Sequence, residues 1–169
     1  VIFRNFMDVL EFRIGDVRDY AEVCSAVKNA DIVVNAAALK QVPTCEYFPE
    51  QALRTNAHGA ELLVEAALQE NPKAVVGLST DKACQPVNVM GMTKALQERI
   101  LVAANLRTQA TRFLSVRYGN VLAARGSMLP LFREQIRRGG PVTLTHPEMT
   151  RFFLSLEQAG DCIFSALSP

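Results

Sequence analysis

Tryptophan is absent from this chain of 169 residues, histidine occurs only twice, and neither sign of charge is in excess. Eighteen Lys and Arg against seventeen Asp and Glu leave a net charge of +1. That balance excludes the basic footprint of a nucleic-acid binder and a polybasic membrane patch, so neither partner is expected. No apolar run approaches the roughly 18 residues of a transmembrane span, and no signal peptide is legible. The expected compartment is the cytoplasm. The four cysteines, Cys24, Cys45, Cys84 and Cys162, stand far apart without a CxxC pair. They read as buried small residues in a reducing compartment, not as a disulfide framework or a zinc site. His58 and His146 have no companions at ligand spacing, so no metal is expected. Also missing is any GxGxxG or GxxGxxG phosphate loop.

What is present is the grammar of an α/β protein: short apolar runs alternating with helix-period stretches. Phe12-Arg13-Ile14 reads as a short strand that turns at Gly15-Asp16, and residues 21–29 as a short amphipathic helix. Asp31-Ile32-Val33-Val34-Asn35 reads as a strand buried on both faces. Pro49-Glu50 opens a long helix whose apolar set is Leu53, Ala57, Ala60, Val64 and Ala67, stopped at Asn71-Pro72. A second buried strand covers residues 74–79. The helix over 88–106 carries Leu96, Ile100, Val102 and Ala103 as its apolar set, and a third strand spans 113–118. Beyond Gly119-Asn120 a helix over 129–138, a short strand over 142–144 and a helix over 155–167 close the chain. Ser155 and Gln158 form a capping box for that last helix. Without a phosphate loop, either the fold is not dinucleotide-binding or the chain is an internal piece of a longer protein.

Ser79-Thr80-Asp81-Lys82 follows a strand directly, at the place where open parallel sheets bind ligands. Asp81 and Lys82 there read either as a proton donor and acceptor pair or as a capped turn with Lys82 in water. Lys94, twelve residues later, reads by position as a solvated mid-helix residue. Arg125, Ser127 and Arg151 are candidate phosphate partners or ordinary surface.

Taken in order, Asn35-Ala36-Ala37-Ala38-Leu39-Lys40-Gln41-Val42-Pro43, Ser79-Thr80-Asp81-Lys82-Ala83, Met90-Gly91-Met92-Thr93-Lys94, Arg117-Tyr118-Gly119-Asn120-Val121 and Met149-Thr150-Arg151-Phe152 resemble the extended short-chain dehydrogenase/reductase family. The resemblance is to its 5-inverting UDP-N-acetylglucosamine 4,6-dehydratases of bacterial polysaccharide synthesis, and it spans residues 15 to about 156. It implies a partial doubly wound, Rossmann-like sheet over residues 1–120 and the start of a substrate-binding region over 121–169. The implied cofactor is NADP or NAD, with NADP slightly preferred, and the implied partner a UDP-activated amino sugar. A homo-oligomer is expected by the same analogy. By similarity Asp16 and Val17 face the adenine. Ala36, Ala37 and Ala38 run along the pyrophosphate and ribose, with Lys40 and Ser79 also at the cofactor. Lys94 holds the nicotinamide ribose, and Asn120, Arg125, Ser127 and Arg151 hold the UDP.

One position departs from the wider family. Met90 stands where its YxxxK motif has tyrosine, and a thioether cannot take a proton from a sugar hydroxyl. The branch resembled includes members with methionine there. The implied reaction oxidises C4, loses water across C5 and C6, and inverts C5. Lys82 is the expected C5 base and Asp81, beside Thr80, the expected acid for the C6 hydroxyl. At an unperturbed pKa of about 10.4, roughly one lysine in 2,500 is neutral at pH 7, a demand of roughly 4.6 kcal/mol. Desolvation and the neighbouring Lys94 are expected to reduce it, and Asp81 needs the opposite shift. The enzymatic rival is a UDP-sugar 4-epimerase, and the non-catalytic rival an inactive nucleotide-sugar-binding fragment. In the doubly wound order, the strand at 31–35 is left with an unpaired apolar edge. Residues 1–19 are then expected to pair abnormally with it, dock loosely or point away.

Overall fold

The apolar, β-branched runs in the middle of the chain pair into one sheet. A computed structural model describes Phe6 and residues 8–122, 128–144 and 146–168. In it β1 (Ile32–Asn35), β2 (Ala74–Thr80) and β3 (Arg112–Tyr118) lie parallel in that spatial order. Parallel neighbours need crossovers. Between β1 and β2 these are α2 (Val42–Tyr47), α3 (Pro49–Ala52), a π-turn (Leu53–His58) and α4 (Gly59–Glu70); between β2 and β3 it is α5 (Val89–Ala104). Helix α1 (Tyr20–Val27) precedes the sheet. After it come β4 (Asn120–Val121), α6 (Met128–Arg137), β5 (Phe153–Leu154) and α7 (Leu156–Leu167), with β4 and β5 paired in a small parallel ladder of their own. The expected α/β, Rossmann-like parallel sheet is present.

The main core lies between the sheet and α1, α4 and α5. Val23, Val27, Leu63, Val64, Ala67, Val75, Leu101 and Phe113 form it. Side chains of the size of Leu101 and Phe113 contribute about 1.5–3 kcal/mol each when fully buried. Helix α7 packs against β2 and β3, and Tyr118 Oη donates to Ala159 O at 2.9 Å. The caps follow sequence chemistry. Asp19 accepts from Ala21 N and Glu22 N, Asn71 takes the left-handed conformation that ends α4, and Ser155 and Gln158 make the expected capping box. At the outer edge of β3, Asn105 substitutes for a strand. Its side chain accepts from Phe113 N and donates to Phe113 O, both at 2.9 Å.

Several sequence expectations are corrected. Residues 12–14 form no strand: no described residue pairs with them, and Ile14 is fully exposed, while Arg13 holds this stretch near α1 by donating to Ser25 O. A strand persists only where its backbone groups are paired. Residues 142–144 form no strand for the same reason. β1 is not buried on both faces; Val33 packs on the core, but Ile32 and Val34 are exposed on this edge strand. The long helix from Pro49 is interrupted by the π-turn, which turns Leu53 outward and Asn56 inward. Of the cysteines only Cys45 is fully buried, and Cys84 is exposed.

Candidate active-site crevice

β1 stops short of its neighbours. Asn35 pairs with Gly77, whereas the β2–β3 ladder continues to Thr80 and Tyr118. Over that step, at the carboxyl ends of the strands, lies a crevice of about 430 Å³. The backbone after β1 walls one side with Ala36, Ala38 and Lys40. Ser79 and Thr80 come from the end of β2 and Lys82 from the turn after it, Met90 and Lys94 from α5, Tyr118 from the end of β3, and Gly119 and Asn120 from the step into β4. Most of the residues singled out from sequence therefore meet in one place.

Lys94 is not a solvated mid-helix residue. It is 6% exposed, and its Nζ donates to Leu78 O at 2.5 Å and to Gln97 Oε1 at 2.7 Å. Burial pulls its pKa down from 10.5 to about 8, against a smaller upward pull from the Glu98 carboxylate. Helix α5 packs Ile100 of its expected inward apolar set against the core, but not the other three. Its buried face carries Met90, Thr93, Lys94, Gln97, Glu98 and Leu101, while Leu96 and Val102 are exposed.

β2 ends in a single 3₁₀ turn over Asp81–Ala83, capped by Thr80, whose Oγ1 accepts from Lys82 N. The same hydroxyl donates to Asp81 Oδ1 at 2.9 Å, and Lys82 Nζ donates to that oxygen at 3.0 Å. Lys82 lines the crevice; Asp81 does not, being turned back onto Lys82 and Thr80. Partial burial raises the Asp81 pKa, but the hydrogen bonds from Lys82 and Thr80 and the Lys82 charge outweigh it and leave it below its ordinary 3.8. In this state Asp81 is a carboxylate, the reverse of the shift expected for a resident acid. Gly91 allows the close fit between this turn and α5, since a Cβ there would run into the Lys82 carbonyl oxygen. Met90 is 5% exposed and packs with Cys45 and Ala52, with Leu39 and Val42 beside them.

Asn120 supplies a different kind of signal. Its backbone N–H donates to Phe152 O at 2.6 Å, but its buried side-chain Oδ1 finds no hydrogen-bond partner among the described residues. A buried acceptor left open in a crevice wall is a place for a ligand donor.

Other expected residues stand apart. Asp16 is held by Arg18, whose hydrogen bonds lower its pKa to about 2, and both line a separate polar groove with Arg54 and His58. Val17 packs against Gly59, and Ala37 shares a small apolar pocket with it. Arg151 is exposed and donates to the adjacent Thr150 O. Arg125 and Ser127 lie outside the described residues. Residues that the sequence reading missed are Asn56, Gln97 and Glu98. Glu98 had one legible signal: four residues after Lys94, it shares that lysine's helix face.

The sequence pattern of polysaccharide biosynthesis proteins matches residues 4–169. The chain belongs to that family. It is 52% identical over 155 residues to an uncharacterized membrane protein of Methanocaldococcus jannaschii, covering 90% of this chain and 46% of that protein. It is 50% identical over 159 residues to a UDP-glucose 4-epimerase of Rickettsia canadensis, covering 93% and 47%. The chain thus spans about half the length of the curated relatives it matches. Among solved structures, Pen from Bacillus thuringiensis superimposes with a TM-score of 0.94 at 39% identity, over 98% of this chain and 53% of that one. A dTDP-glucose 4,6-dehydratase of Streptomyces venezuelae with NAD bound shares the fold at 22% identity and a TM-score of 0.78, over 90% and 52%. The fold is therefore that of nucleotide-sugar dehydratases and epimerases. No helix among the described residues is long and apolar enough to cross a membrane.

Proposed function

We propose that this chain carries the catalytic crevice of an NAD(P)-dependent UDP-N-acetylglucosamine 4,6-dehydratase that inverts C5. The observation that carries the reading is the Thr80–Asp81–Lys82 relay: a hydroxyl and an amine, both in the crevice, joined through one carboxylate oxygen. The crevice suits the nicotinamide-ribose end of a dinucleotide. Ala36 and Ala38 present only methyl groups beside approachable backbone, and Lys40, Lys82 and Lys94 bring cationic charge for an anionic ligand. When bound, the nicotinamide supplies hydride acceptance from C4 and hydride return to C6.

The residues supply the proton movements. Thr80 takes the O4 proton as C4 is oxidised and passes its own to the Asp81 carboxylate across the 2.9 Å hydrogen bond. Asp81, set behind the crevice lining, stores that proton and returns it through the Thr80 hydroxyl to the departing C6 hydroxyl. A carboxylate that begins ionised and is charged during turnover reconciles its acid role with its lowered pKa. For the C5 step the Lys82 ammonium, paired with Asp81 at rest, first gives up a proton to water, and the neutral amine then takes the C5 proton. Lys94 stays cationic beside the nicotinamide ribose. Asn120 Oδ1 accepts from the UDP moiety, the role its open valence suits.

A UDP-sugar 4-epimerase is the second reading, favoured by the similarity to the UDP-glucose 4-epimerases of Rickettsia. It has no use for groups aimed at C5 and C6. The full protein incubated with UDP-N-acetylglucosamine and either cofactor in D₂O separates the two. A dehydratase yields a 4-keto-6-deoxy sugar with inverted C5 and deuterium at C5. Formation of the C4 epimer without deuterium overturns the proposal.

A further inference from the structure

Under the floor of the crevice lies a charged cluster that the relay does not use. Glu98 is 8% exposed. Its Oε1 accepts from Ser79 Oγ at 2.5 Å and from Arg117 Nε at 2.9 Å, and its Oε2 accepts from Arg117 Nη2 at 2.6 Å. One carboxylate therefore ties α5 to the ends of β2 and β3. Ser79 lines the crevice directly, and Lys94 lies one turn back along the same helix face.

A tie of this kind does not need a charge. Well-packed apolar groups often replace buried ion pairs at no loss of stability. The charge matters for what lies nearby. The groups around Lys94 are Gln97 and Glu98 on its own helix, the Leu78 carbonyl and Ser79 from β2, Lys40 and Lys82 across the crevice, and Tyr118 and Arg117 from β3. Burial pushes Lys94 toward its neutral form, and the Glu98 carboxylate, one turn along the same buried helix face, pulls the other way.

We propose that Glu98 is a positioning residue. It fixes Ser79 and Arg117 beneath the crevice and holds a negative charge one helical turn from Lys94, so that a buried lysine stays an ammonium for an anionic ligand. This rests on reading the crevice as a nucleotide-cofactor site.

The test reads Lys94 directly. Lysine labelled with ¹³C at Cε is titrated by NMR in the full protein, with the resonance assigned by Lys94→Arg. Glu98→Gln keeps an acceptor for Ser79 but removes the charge, and it shifts the Lys94 midpoint down by about half a pH unit or more. Arg117→Gln leaves Glu98 un-neutralised and shifts the midpoint the other way, upward. Arg117 is partly exposed, so this variant remains informative if Glu98→Gln fails to fold. A midpoint unmoved in either folded variant overturns the proposal. The titration requires no turnover, so it is independent of which sugar reaction the protein performs.

Discussion

Asn56 Nδ2 donates to Thr93 Oγ1 at 3.0 Å, joining the π-turn to the helix that carries Lys94. The same amide accepts from Leu39 N at 2.8 Å and donates to Leu39 O at 3.0 Å, so a single side chain also pins the crevice wall that follows β1. The π-turn turns this residue inward, a distortion often found beside functional sites.

Asn56→Ala leaves Leu39 N without its acceptor and removes one bond each from Leu39 O and the Thr93 hydroxyl, which keep Cys45 Sγ and Met90 O as partners. Buried polar groups left unpaired cost about 1–3 kcal/mol each, with partial relief by relaxation or water. Urea denaturation is expected to show a loss of about 2–4 kcal/mol.

Lys94 sets a pH dependence of opposite sign to that of a paired lysine. Its folded pKa of about 8 lies below the ordinary 10.5, so the unfolded chain binds the extra proton between these values. Stability therefore rises as pH increases from 8 to 10.5, and the penalty, about 3 kcal/mol, is present in full below 8. Lys94→Met is expected to be more stable than the parent at pH 7 and to flatten this limb, while losing cofactor binding. Denaturation across the pH range, with cofactor calorimetry at pH 7, checks both.

Lys82→Ala and Met90→Ala divide chemistry from packing. The first is expected to lower kcat by about 10²–10⁴ with little change in melting temperature. The second removes a buried side chain packed on Cys45 and Ala52, and is expected to cost about 2–5 kcal/mol of stability with a smaller effect on kcat. Equal damage to kcat would show that Met90 takes part in the reaction.

Gly91→Ala places a Cβ against the Lys82 carbonyl; its two nearest neighbours are backbone atoms, with Pro86 Cβ close behind. Either the start of α5 or the Asp81–Ala83 turn must move, at about 1–3 kcal/mol. Misplacing Lys82 by such a shift is expected to reduce kcat by about 10²-fold, read from steady-state kinetics.

The three sheet strands were legible because long β-branched runs between helical stretches have few alternatives. The short run at 12–14 misled, since strand formation depends on a neighbour that local sequence does not reveal. The α5 segment misled for the opposite reason. Its buried face carries Thr93, Lys94, Gln97 and Glu98, which satisfy one another and the strand ends through hydrogen bonds, so hydrophobic periodicity identified the helix but not its orientation. The motif run from Ala36 to Asn120 located the crevice. It could not reveal that Asp81 folds back onto Lys82, which depends on the geometry of one 3₁₀ turn.

The step between β1 and its longer neighbours divides the domain's tolerance for change. Below the step, Val75, Leu101 and Phe113 belong to the core; above it, the wall after β1 and the ends of β2 and β3 face open volume. Substitutions confined to the upper segments can reshape the crevice without disturbing the packing of that core. Helix α5 is the seam where that freedom ends, because one face holds Leu101 in the core and Lys94 in the crevice. Divergence of chemistry within such proteins should therefore accumulate in loops, with α5 changing last.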